Sequence, residues 1–347
     1  MAQVPNRHQV SLRLALSDPF IILSLSGGGY CGLYTAAILE RIEEARGNVS
    51  LAESVDLITG TSIGGIIALG VAHGVKAKDI RDSIESNGPK LFRDDGSRAK
   101  RILQNTAGKL RGTIKAKYRS ENLRGIIQTI LPDQPLSTAR IPAAVASVCT
   151  NGAKPKIFRN YANEDTNSHD AAMATSAAPT FFDPYQIGND FFVDGGIVAN
   201  NPDVIGFMEA VGKFGADPKD IVIVSVGATN LDLVSGSRKQ SFTGLVPQIF
   251  SLRRSISFTL EVQQALARQQ AEDALQGRYV RITTRPGKDA EKFAQLDRAD
   301  DLATQTLLAM ANSEYDSVRD QALIQLIENP ARKRKPRWLN GQILPVI

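Results

Sequence analysis

The chain has 347 residues, enough to bury a substantial apolar core as one large α/β domain or two smaller ones, so a disulfide framework is unnecessary. Its two cysteines, Cys31 and Cys149, and its three histidines show no repeated spacing, which excludes a disulfide scaffold and a zinc site and suits a reducing cytoplasm. The formal net charge of +5 is a mild excess that favours anionic partners such as acidic lipid headgroups or nucleotides, and no DNA or RNA polymer is expected.

Residues 1–25 hold two arginines but no long apolar stretch before a small-residue cleavage site, so no secretory signal is expected. Phe20-Ile-Ile-Leu-Ser-Leu is a short apolar run that stops at three glycines. Residues 33–46 then place apolar side chains at helical spacing, which predicts strand, tight loop and helix. Val55-Asp-Leu-Ile-Thr leads into Gly60-Thr-Ser-Ile-Gly-Gly and a compact apolar stretch over 66–75, so the unit repeats. The nearly apolar run 63–72 falls far short of the ~20 residues that cross a bilayer, and any membrane contact is expected to be peripheral. From Lys90 to Arg124, eleven Lys and Arg stand against three acids; this basic insert reads either as a solvated segment or as a surface for an anionic ligand.

Residues 143–149 and 156–161 look like strands, 169–178 predicts a helix ended by Pro179, and 191–193 a brief strand before Asp194-Gly-Gly. Asp220-Ile-Val-Ile-Val-Ser-Val-Gly is a continuous β-branched run, the pattern of a strand covered by helices on both faces, and it predicts a parallel sheet. Residues 244–276 and 299–328 read as helical, with an edge strand at 279–283 between them. The end, Arg332-Lys-Arg-Lys-Pro-Arg-Trp, reads as a solvated tail or as a membrane-adhesive one.

Gly60-Thr61-Ser62-Ile63-Gly64 fits the G-x-S-x-G nucleophile elbow, a strand turning sharply into a helix so that the serine oxygen is exposed. The two glycines approach so closely in that turn that a Cβ would clash, and the serine takes a strained backbone. Unpaired amides at the helix start favour a developing oxyanion, and the loop Gly27-Gly-Gly-Tyr-Cys-Gly32 offers a second set. Histidine is the usual base, yet each of the three has a difficulty. His73 lies eleven positions beyond Ser62 on the same predicted helix, about 16 Å away. His8 precedes the first strand, and His169 opens a helix, where a capping or surface role is expected. Asp194 ends a short apolar strand before two glycines, which suits either a turn aspartate or a buried carboxylate acting as base. As a base it needs burial to lift it above the ordinary value near ~3.9.

Taken together, Gly27-Gly-Gly-x-x-Gly, Gly60-x-Ser-x-Gly and Asp194-Gly-Gly, with Ala174-Thr-Ser-Ala-Ala-Pro-Thr-Phe-Phe and Asp194-Gly-Gly-Ile-Val-Ala-Asn-Asn-Pro, resemble the patatin-like phospholipase family over roughly 20–226. The resemblance implies an α/β fold of three layers, α/β/α, with a mostly parallel central sheet and a C-terminal helical region. It implies an acyl hydrolase domain over 15–315, its core motifs within 20–230, then a helix and basic tail over 316–347. It also implies a Ser62–Asp194 dyad working through an acyl-enzyme on membrane phospholipids, with Gly27, Gly28 and Gly29 supplying oxyanion amides and neither metal nor cofactor. The family usually has Arg or Lys where this chain has Cys31, which puts that loop's cationic support in question.

Length and the C-terminal helical region are similar to the CapV type, patatin-like antiphage effectors that respond to cyclic oligonucleotides. That narrower likeness implies a cyclic dinucleotide activator and a cytoplasmic protein peripheral to the inner face of the membrane. A homo-oligomer stays open. A catalytically silent lipid-binding protein with the same fold is the second reading. A dinucleotide-binding module is a third, since Gly27-x-Gly29-x-x-Gly32 formally fits G-x-G-x-x-G. The following strand, however, ends in Thr59-Gly60-Thr61-Ser62 and lacks the ribose-binding acid.

Overall fold

The computed structural model describes residues 18–92, 116–162, 166–227, 247–286, 293, 295–333, 337–339 and 342–344. His8, the bulk of the basic insert (93–115) and residues 334–336 of the tail lie outside the described residues.

The strands of the main sheet are β1 (Phe20–Leu25), β2 (Leu57–Thr61), β3 (Ala143–Cys149), β4 (Lys154–Arg159), β5 (Tyr185–Ile187), β6 (Asp190–Asp194), β7 (Ile221–Val226) and β8 (Tyr279–Ile282). Around them lie helices α1 (Gly32–Ala45), α2 (Ile63–Ala72), α3 (Ala77–Leu91), α4 (Ser120–Ile130), α5 (Ser168–Ser176), α6 (Gly196–Ala199), α7 (Asp203–Phe214), α8 (Pro247–Leu275), α9 (Asp301–Val318) and α10 (Ala322–Glu328). None of the helices among the described residues is long and apolar enough to cross a membrane.

β1 and β7 are buried at every position, as their unbroken apolar runs require. Alternation then divides their side chains between two layers. Ile21, Leu23 and Leu25 join the larger core with α1, α2, α9 and α10, while Phe20 and Ile22 join Ile221, Ile223, Ala210 and Phe214 under α7. The result is the expected three-layer α/β/α arrangement. The sheet order is β5-β6-β3-β2-β1-β7-β8, with β4 also on β3. β3, β2, β1, β7 and β8 run parallel; β4, β6 and β5 are antiparallel to their neighbours.

Helices α3 and α4, which flank the basic insert, go beyond the sequence expectation. Each is amphipathic, burying Ile80, Ile84 and Leu91 on one and Leu123, Ile126, Ile127 and Ile130 on the other. The predicted helix 299–328 is divided into α9 and α10, and the Asp300 carboxylate caps α9 by accepting from Ala303 N at 2.8 Å. Ile324 and Ile327 of α10 are fully buried in the larger core. Arg332, which opens the basic stretch read as a solvated or membrane-adhesive tail, donates to Pro19 O at 2.9 Å and Ser54 O at 3.1 Å and pairs with the buried Asp56 at 3.3 Å.

One feature of the sheet positions the site. β3 gives one whole edge to β4 and divides the other. Ala143 to Ala146 pair with β2, and Ser147 to Cys149 pair with β6. Thr61 is opposite Ala146, and Asp194 is opposite Ser147. β2 and β6 therefore meet end to end on the same edge.

Arg46, 1% exposed, holds the far side of the fold together. Its guanidinium donates to Ile327 O, and to Asn329 O at 2.8 Å, satisfying carbonyls at the C-terminus of α10. Arg46→Met should therefore lower the unfolding free energy by about 2–3 kcal/mol, because charged hydrogen bonds are lost and carbonyls are left buried. Urea denaturation measures this; a loss under 0.5 kcal/mol on the scale of a surface change would refute it.

Candidate active site

Ser62 sits between β2 and α2 at φ 56°, ψ −131°, a left-handed conformation that costs a non-glycine residue roughly 1–3 kcal/mol. The neighbours enforce it. A Cβ on Gly60 would press to 2.7 Å from Gly65 Cα, and one on Gly64 would meet Ser26 O at 2.5 Å. Ser62 O accepts from Gly65 N at 2.8 Å and Ile66 N at 3.1 Å, starting α2. The amides of Ile63 and Gly64 have no partner among the described residues. They are the orphan donors of a helix N-terminus, beside the serine.

Because β6 abuts β2, Ser62 and Asp194 line the same cavity, with the serine side chain close enough to the Asp194 carboxylate to lower its pKa. Asp194 is buried and accepts from Gly196 N at 2.7 Å. Its pKa is pushed up to about 6 by burial, against which Ser62 and the bond from Gly196 pull downward. That value suits a base working near neutrality. Gly195 follows because a side chain there would run into the Ala146 carbonyl.

Thr175, which the sequence did not single out, ties the two halves. Its Oγ1 accepts from Ser62 N at 3.1 Å and donates to Ala146 O, while its own carbonyl accepts from Gly195 N at 3.2 Å.

The glycine loop is only partly as expected. Gly27 N donates to Asn200 O at 3.1 Å, so this amide is already engaged and is not available as an oxyanion donor. Gly27 serves by its smallness: a Cβ would lie 3.0 Å from Ser62 Cβ and overlap Asn200 Oδ1. Gly28 and Gly29 line the cavity and their amides have no partner among the described residues. Gly29 has φ +56°, and a side chain there would strike Leu296 O. Cys31 is fully buried, its Sγ donating to Gln295 O at 3.6 Å, and it does not line the cavity.

The two described histidines are elsewhere. His73 Nε2 is 2.7 Å from Ser168 Oγ, and His169 Nε2 is 3.0 Å from Leu131 O. Burial, joined by Arg140 and His169, lowers the His73 pKa to about 4.

A cavity of about 590 Å³ contains Ser62 and Asp194. Ile84, Leu91, Phe92, Leu123, Ile126 and Phe181 give it apolar walls, so α3 and α4 are part of the site. Its size falls within the ~300–1,000 Å³ of small-molecule sites. Helix α8 closes one side with Leu260, Val262 and Arg268. Gln263 fastens that helix, accepting from Asn200 N at 2.8 Å and donating to Ile197 O at 3.0 Å. The described residues include no cluster of His, Cys, Asp and Glu that could hold a metal ion.

Two predictions follow from the burial of Asp194 and the bridging of Thr175. The folded Asp194 carboxyl holds its proton more tightly than the unfolded one near ~3.9, so folding loses stability as pH rises from about 4 to about 6. Asp194→Asn should therefore melt above the parent protein at pH 7.5, with the gap closing by pH 4; scanning calorimetry giving a lower melting point at pH 7.5 would contradict it. Thr175→Val keeps the shape but leaves Ser62 N–H and Ala146 O without their partner. It should lower kcat roughly 10-fold, since misplacement of a reacting group costs rate, with KM little changed in steady-state kinetics.

The patatin-like phospholipase family model matches residues 23–202. The cGAMP-activated phospholipase of Vibrio cholerae serotype O1 is 31% identical over 351 residues, covering 92% of this chain and 98% of that protein. A protein of the same description from Escherichia coli is 30% identical, covering 90% and 94%. Among solved structures, human GIVD cytosolic phospholipase A2 aligns with a TM-score of 0.41 at 11% identity, over 92% of this chain and 61% of that one. The matched segment contains the glycine loop, the strained serine and the buried aspartate described above, and the chain belongs to the patatin-like phospholipase family.

Proposed function

We propose that the protein is a serine acyl hydrolase that cleaves fatty-acyl esters of membrane phospholipids. The observation that carries this is the strained Ser62 standing beside the buried Asp194 carboxylate inside a largely apolar cavity. Asp194 takes the Ser62 proton as the oxygen attacks the ester carbonyl. The tetrahedral oxyanion faces the amides of Gly28, Gly29 and Ile63. Collapse expels the lysophospholipid alcohol, which recovers the proton from Asp194 and leaves the acyl group on Ser62. Water, deprotonated by Asp194, then releases the fatty acid and restores the serine. The apolar walls of α3 and α4 accommodate the acyl chain.

The reading extends to regulation and location. Relatives described as cGAMP-activated match nearly the whole chain, which supports activation by a cyclic dinucleotide; the antiphage role in the cytoplasm is carried by the likeness to the CapV type alone. Peripheral membrane contact is supported by exposed apolar side chains on α6 and α8, two helices that also line the cavity: Ile197 (48% exposed), Val198 (37%), Val262 (52%) and Leu266 (54%).

Three measurements test this. A fluorophosphonate should label the protein at Ser62, in the presence of cyclic GMP-AMP where an activator is needed, and Ser62→Ala should abolish labelling and cut phospholipid hydrolysis at least about 10³-fold. No labelling under either condition would favour the lipid-binding reading. The acid limb of kcat/KM should fall through about pH 6 as Asp194 is protonated; a flat profile between pH 5 and 7.5 would reassign the base. Val198→Asp with Leu266→Asp, neither in the cavity wall, should reduce hydrolysis of anionic vesicles roughly 10-fold or more while a soluble short-chain ester is cleaved as before. Equal rates on vesicles would remove these side chains from the interface.

A further inference from the structure

Arg281 is a cation with an unusual set of partners. It lies on β8 opposite Ser225 of β7, and its side chain lines the same cavity as Ser62 and Asp194. The bonds that hold it all run through Nη1: to Ser225 Oγ at 2.6 Å, Ser26 Oγ at 2.9 Å and Asn201 Oδ1 at 3.2 Å. These acceptors are two hydroxyls and an amide. Among the described residues no carboxylate forms an ion pair with it.

The nearby buried Asp203 does not change this. Its oxygens accept from Ser225 Oγ at 2.6 Å, Asn201 Nδ2 at 2.8 Å and Tyr279 OH at 2.6 Å. The carboxylate therefore reaches Arg281 only through Ser225 and Asn201. By contrast Arg268, which also lines the cavity, is joined to Glu272 at 2.7 Å.

The anchors also fix where the guanidinium stands relative to the chemistry. Ser26 immediately precedes Gly27, which packs against Ser62, and Asn201 immediately follows Asn200, whose carbonyl receives Gly27 N. A planar guanidinium fastened through one nitrogen keeps further N–H donors for a second partner. Inside a partly apolar cavity, such a group favours a singly charged oxyanion that accepts two parallel bonds.

We infer that Arg281 forms a phosphodiester subsite of the catalytic cavity. The inference rests on the proposed hydrolase reading for its consequence: the phosphate of a glycerophospholipid is held at Arg281 while its ester carbonyl lies against Ser62. Arg281 then distinguishes phospholipids from neutral acyl esters. The same chemistry is carried by a cyclic dinucleotide, so the test has an arm for each source.

In a Ser62→Ala background, calorimetry compares Arg281 with Arg281→Gln and Arg281→Lys for dihexanoyl phosphatidylglycerol, neutral dihexanoylglycerol and cyclic GMP-AMP. With Ser62 present, kcat/KM is measured for the two dihexanoyl lipids. Arg281→Gln should weaken binding of the phospholipid roughly 10- to 100-fold, the scale of a lost charged hydrogen bond. The phospholipid-to-neutral ratio of kcat/KM should drop by a similar factor, with Arg281→Lys recovering part of both. Weakening confined to cyclic GMP-AMP assigns the subsite to the nucleotide and sustains it. Equal losses on the neutral lipid and the phospholipid, or no change for either phosphodiester, overturn it. Because the binding arm does not need turnover, an inactive parent protein would reject the hydrolase reading alone and leave the subsite to be judged by affinity.

Discussion

The site depends on one division of a sheet edge. β3 pairs with β2 as far as Ala146 and with β6 from Ser147 onward, so two strands of opposite direction end against each other. One ends in the strained elbow of Ser62 and the other in Asp194. The nearness of hydroxyl and carboxylate is thus a consequence of backbone pairing and does not rely on two flexible side chains finding one another. Thr175 reinforces the junction from α5 by binding the Ser62 amide and the Ala146 carbonyl.

Electrostatics at that junction is sparing. Asp194 is buried, and the groups resolved as stabilising its carboxylate are Ser62 and the Gly196 amide, so desolvation outweighs stabilisation and the group becomes more basic. A carboxylate surrounded by more donors would be more stable and less able to take a proton from an alcohol. The described histidines meanwhile serve the scaffold, bonded to Ser168 Oγ and Leu131 O. Strain at Ser62 and burial at Asp194 are both unfavourable locally. The two-sided core around β1 and β7, together with the capping of α10 by the buried Arg46, offsets them elsewhere.

Asn200 and Asn201 link the parts of the cavity. Asn200 receives the Gly27 amide at its carbonyl and gives its own amide to Gln263 of α8. Asn201 meets Arg281 and Ser26 on one oxygen and Asp203 through its nitrogen. The glycine loop, the covering helix and the arginine of β8 are therefore joined through two consecutive residues, so a shift of α8 would be felt at the loop beside Ser62.

Much of this was legible in the chain because local patterns have local causes. The unbroken run at 20–25, the β-branched run at 221–226 and the elbow glycines around Ser62 each constrain their own backbone, whatever surrounds them. The pairing of Ser62 with Asp194 was an expectation resting on the strand-end aspartate before two glycines and on family resemblance; the residues between them do not contain it. Other features were written in no single stretch. That Gly27 spends its amide on Asn200, that Thr175 bridges the strands, that α3 and α4 wall the cavity and that Arg332 is tied to Asp56 all arise from contacts between distant segments. A sequence determines which residues can bend, cap or alternate. Which amide remains free, which carboxylate is desolvated and which cation faces a cavity depends on what packing places beside them, and only the tertiary structure decides that.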